Sequence, residues 1–99
     1  MASEDEVRNS LQYLARRIYE AVGAELDENA NSELHTILRR GARRATPDEF
    51  SKSVEHLAEA LPRAILRVRM RRDTPFGQAI TKSDVRAAMK GICPIWPFC

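Results

Sequence analysis

An all-α fold, a small bundle of four or five short helices with an extended C-terminal apolar tail, is what this 99-residue sequence predicts. Apolar residues recur at three- and four-residue spacing in successive segments, and capping residues stand ahead of those segments. The only run that alternates as a strand would, Leu66 to Met70, has no partner run elsewhere with which to pair. Hydrophobic residues make up 43% of the chain and charged residues 30%, which is globular composition. A chain of this length buries roughly two-thirds of its extended surface on folding, enough for one core. We therefore expect one bundle domain over residues 1–91, with residues 92–99 as a tail packed on it or projecting from it.

Ser3 caps the first helix, with Glu6 placed to reach back, and Val7, Leu11, Leu14, Ile18 and Val22 form a single stripe. Gly23 suits its end. A second helix starts between Asp27 and Ser32, where several residues are competent caps, carries Leu34, Ile37 and Leu38 inward, and ends near Gly41. Arg39, Arg40, Arg43 and Arg44 gather at its C-terminal end, where cations complement the partial negative charge of unsatisfied carbonyls. Thr46-Pro47-Asp48-Glu49 is the clearest start signal, with a cap, a proline in the first turn and a glutamate positioned for a capping box. Phe50, Val54, Leu57, Ala58 and Leu61 follow as the buried stripe.

Pro62 cannot donate to the helical ladder, so a break is predicted there, followed by a fresh helix to Arg72 with Ile65, Leu66, Met70 and part of Val68 on its inner face. Asp73 to Gly77 reads as a turn in which Phe76 plugs the core edge. The last helix opens at Thr81, with Asp84 in its first turn and Val85, Ala88, Met89 and Ile92 inward, and Gly91 suits its end. The segment Ile80-Thr81-Lys82-Ser83-Asp84-Val85-Arg86-Ala87-Ala88-Met89 resembles the last loop and helix of histone-fold proteins, where a short β-like threonine segment leads into a small helix. The resemblance covers ten of 99 residues, and no family is assigned on it.

The tail differs from everything before it. Cys93 to Cys99 holds both cysteines, the only tryptophan and two of the five prolines. The prolines disfavour helix and present Ile95, Trp96 and Phe98 outside regular structure. The acidic N-terminus and the lack of an apolar run near 20 residues give no sign of a secretory signal or a membrane span, so a cytoplasmic protein is expected. Thiols stay reduced in that compartment. Cys93 and Cys99 are nonetheless spaced to form a disulfide or another crosslink.

Charge and motif content narrow the functional classes. The net charge of +2 is too small to imply a polyanion partner by itself. Arginine outnumbers lysine thirteen to three, however, with five arginines between Arg63 and Arg72. His35 and His56 lack the convergent partners of acid–base chemistry, and no phosphate-binding glycine loop or metal-binding His/Cys spacing is present, so neither an enzyme nor a cofactor or metal is expected. The leading expectation is a small non-enzymatic helical domain acting through protein–protein contacts or self-association. Trp96, Phe98 and Ile95 of the tail, with Arg63, Arg67 and Arg71, are the candidate partner-binding residues. One alternative is the precursor of a ribosomally made modified peptide, with a folded leader to about Gly91 and a core from Cys93 to Cys99. The other is a nucleic-acid-binding module using the arginine-rich helix.

Overall fold

Two helical hairpins stand side by side in the computed structural model, which describes residues 3–73, 75, 77–94 and 96. The first pairs α1 (Glu4–Val22) with α2 (Glu28–Arg44), and the second pairs α3 (Pro47–Arg71) with α4 (Lys82–Ile92). These are the only helices among the described residues, and no strand accompanies them.

Each helix starts where its cap directs. The side chains of Ser3, Asp27, Thr46 and Thr81 accept from the backbone N–H of Glu6, Ala30, Glu49 and Asp84 in turn, which satisfies donors that the first turn leaves unpaired. Gly23 ends α1 in the left-handed conformation, with φ of 77°, where its missing Cβ removes the steric penalty. The second helix does not stop at Gly41. It runs on to Arg44, because Gly41 and Ala42 are buried and continue the stripe of Leu34 and Leu38.

Pro62 does not break the third helix. A single helix of 25 residues passes through it, so the predicted break and fresh start are corrected. Loss of one ladder bond inside a helix costs about 3 kcal/mol, whereas a break would rotate Ile65 away from Phe50, Val54, Leu57 and Leu61, all buried with it. Full burial of such side chains is worth roughly 1.5–3 kcal/mol each, and the uninterrupted stripe wins. The inner face beyond Pro62 changes accordingly. Ile65 is buried and Val68 partly so, but Leu66 and Met70 are 43% and 72% exposed, and Arg69 takes the inward position instead.

The hairpins are joined directly by Ala45-Thr46 and pinned at their other ends by an isolated parallel bridge between Leu26 and Ile80. The N–H of Asp27 donates to the Ile80 carbonyl, and the N–H of Ile80 to that of Glu25, both at 2.8 Å. Each bridge residue immediately precedes a helix cap, so α2 and α4 leave this point in the same direction. Both α1 and α4 pack on α2 and on α3, around a core centred on Leu14, Ile18, Leu34, Leu38, Leu57 and Leu61.

At the C-terminus, α4 passes through Gly91 to Ile92, and the N–H of its cap residue Cys93 donates to the Met89 carbonyl. Cys93 and Pro94 then form a turn, and the N–H of Trp96 returns to the Ile92 carbonyl at 2.9 Å. The residues expected to plug the core edge (Phe76), to contact a partner (Ile95 and Phe98) or to bridge to Cys93 (Cys99) lie outside the described residues. No helix among the described residues is long and apolar enough to cross a membrane.

Candidate protein-contact surfaces

The expected site residues separate into two places. Arg63, Arg67 and Arg71 recur every four residues on α3, all exposed, and therefore share one face of the helix. None of them has an ion-pair partner among the described residues, so the neighbouring Glu55, Glu59 and Asp73 do not neutralise them. Leu66 and Met70 flank this row, and together with Val22 and Pro75 they line a depression of about 370 Å3 at the end of α1 and α3.

Trp96 is elsewhere. It is 2% exposed and belongs to the core cluster, the packed of the two dispositions expected for the tail. With Ile37, Ala87 and Met89 it lines a groove of about 580 Å3 between α2 and α4, to which Arg63, Arg67 and Arg71 contribute nothing. Arg40, Arg72, Arg86 and Lys90 also line this groove, against the single carboxylate of Glu33. Glu33 pairs with Arg86 at 3.4 Å and lies 3.9 Å from Lys82, and Arg72 pairs with Asp84 at 3.2 Å. Arg40 and Lys90 are without an ion-pair partner among the described residues. Cys93, which also lines the groove, is disulfide-bonded, the bridged of the two thiol states that the sequence leaves open.

Sequence reasoning missed the buried ionic node under the arginine row. Arg69 and Asp84 are 8% and 5% exposed. The Arg69 guanidinium donates from Nη2 to the Gln78 carbonyl at 2.8 Å and from Nη1 to the Ala79 carbonyl at 3.3 Å and Asp84 Oδ2 at 3.5 Å. Asp84 closes a capping box on α4, accepting from the N–H of Thr81 at 3.0 Å while its own N–H donates to the threonine hydroxyl. The node ties the 72–81 connection to two helices. A signal for it existed, since Arg69 lies four residues beyond Ile65 on the buried stripe once α3 is read as continuous.

His35 is half-buried and His56 exposed, and neither has a hydrogen-bond or ion-pair partner among the described residues. No group of three or more metal-ligating side chains is brought together there. No known protein family matches the chain, and no curated protein or solved structure is measurably similar to it.

Proposed function

We propose that this chain is a non-enzymatic helical domain that acts through protein–protein contacts, and that its contact surface is the outward face of α3. The observation that carries this reading is the exposure of Leu66 and Met70 beside three arginines without ion-pair partners among the described residues. The core does not need these two apolar side chains. Exposed methionine is adaptable, and arginine with large apolar residues is the composition of interface hot spots. The complementary partner is a protein surface that sets acidic side chains around an apolar ridge.

A photo-crosslinking side chain at position 70, introduced in the native host, should give one discrete adduct that disappears when Arg63, Arg67 and Arg71 are replaced by glutamate. The same probe at exposed Asp48 should give none. Equal crosslinking at both positions would remove the basis of the proposal. A nucleic-acid interface would instead bind DNA or RNA with an affinity that falls steeply with salt. Gel shifts near physiological ionic strength should show no complex.

The peptide-precursor reading has one feature in its favour, the disulfide at Cys93 immediately after α4. Weighing against it, Gly91 lies within the helix and Trp96 belongs to the core cluster, so release of the segment would open the bundle. Intact mass of host-derived protein separates the readings, because a precursor shows a mass change confined to Cys93 to Cys99.

A further inference from the structure

The groove between α2 and α4 combines two properties that the bundle itself does not require. Its floor is apolar, formed by Ile37, Met89 and Trp96, and its lining carries four cationic side chains against one carboxylate. At about 580 Å3 it falls within the size range of small-molecule sites, which pair an apolar body with a few placed polar groups. The charge is unbalanced locally. Glu33 is taken by Arg86 and Asp84 by Arg69 and Arg72, which leaves Arg40 and Lys90 facing the groove with no carboxylate of the described chain to meet them. Both sit in the C-terminal halves of parallel helices, so one end of the groove is the more positive.

We propose that this groove is a binding site for an amphipathic organic anion, with an aliphatic body lying over Ile37, Met89 and Trp96 and a terminal carboxylate held between Arg40 and Lys90. Charge complementarity selects an anion, and the thioether and indole floor selects an extended apolar body over a compact polar one. This site is independent of the α3 surface and uses none of its residues.

Trp96 is the only tryptophan of the chain, so its fluorescence reports occupancy directly. Dodecanoate titrated below its micellar concentration into the full chain should change that fluorescence saturably with a Kd below about 1 mM, and affinity should fall as salt is raised. Dodecyltrimethylammonium, with the same chain and the opposite charge, should not bind. Arg40→Glu with Lys90→Glu should weaken dodecanoate by about tenfold or more. Arg67→Glu with Arg71→Glu should leave it unchanged. Arg40 and Lys90 are exposed, so circular dichroism should show the double variant as folded as the parent. No saturable response, equal binding of the cationic amphiphile, or affinity indifferent to the groove reversal would each overturn the proposal. A response only to vesicles containing anionic lipid, with none to free dodecanoate, would overturn it also.

Discussion

Arg69 shares a ten-residue stretch with four other arginines, yet its surroundings set it apart. A guanidinium that is 8% exposed must have its donors met inside the protein, and two carbonyls and the Asp84 carboxylate meet them. Removing Arg69 takes the donor from the Gln78 and Ala79 carbonyls and leaves Asp84 with Arg72 as its ion-pair partner among the described residues, at about 1–3 kcal/mol for each buried group left unmet. Arg69→Ala is therefore expected to lower unfolding free energy by about 3 kcal/mol or more in urea denaturation, whereas Arg67→Ala, on the exposed face, should change it by no more than about 0.5 kcal/mol. Equal effects at the two positions would mean that the node does not hold the 72–81 connection. Arg69→Met combined with Asp84→Leu should cost less than the sum of the single replacements, because no buried charge is then left unpaired, and Arg72, which also loses Asp84, is half exposed and met by solvent.

At the scale of the helix, Pro62 sets a local preference against a longer-range one. Its ring lacks the N–H that would reach the Ala58 carbonyl, yet the stripe from Phe50 to Ile65 stays in one helical phase across it. Pro62→Ala restores the bond and relieves the ring clash, and should stabilise the domain by roughly 1–3 kcal/mol, read as a higher urea midpoint with an unchanged slope. A lower midpoint would show that the buried ring contributes more by packing than it costs the ladder. The same element marks how far the sequence could be read. Caps at Ser3, Thr46 and Thr81 and the stripes of α1, α2 and α4 are local signals, and the starts of α1, α3 and α4 followed from them, whereas that of α2 stayed open between Asp27 and Ser32 until Asp27 proved to be its cap. The continuity of α3 was not legible, because a proline is judged by its neighbours while its cost is offset by contacts with other helices. That error carried forward. It turned Leu66 and Met70 inward, hid the inward position of Arg69, and thereby concealed both the ionic node and the apolar part of the α3 surface. For the tail, local pattern left packing and projection open, since the groove that Trp96 lines is made by two helices far apart in sequence.

The whole molecule measures 40 × 25 × 19 Å, and its long axis matches the roughly 37 Å expected for the 25 residues of α3, so this helix spans the bundle end to end. At the α4 end of that framework, Trp96 closes the core. Trp96→Ala should cost about 3 kcal/mol, and truncation after Ile92 should lower the unfolding free energy by a comparable or larger amount. A truncated chain as stable as the parent would make the tail dispensable to folding. The Leu26–Ile80 bridge carries a further consequence, for the order in which the chain assembles. Either hairpin can form from contacts close in sequence, but the bridge joins segments more than half the chain apart and must wait for the hairpins to dock. Two amides record that event, those of Asp27 and Ile80. In native-state hydrogen exchange they should open with the same free energy, and Ile80→Ala should speed both together. Widely different exchange at the two amides would mean that the hairpins separate by another route. If they match, this pair of protons reports the docking equilibrium of the two hairpins, with exchange of the amide hydrogens as its only probe.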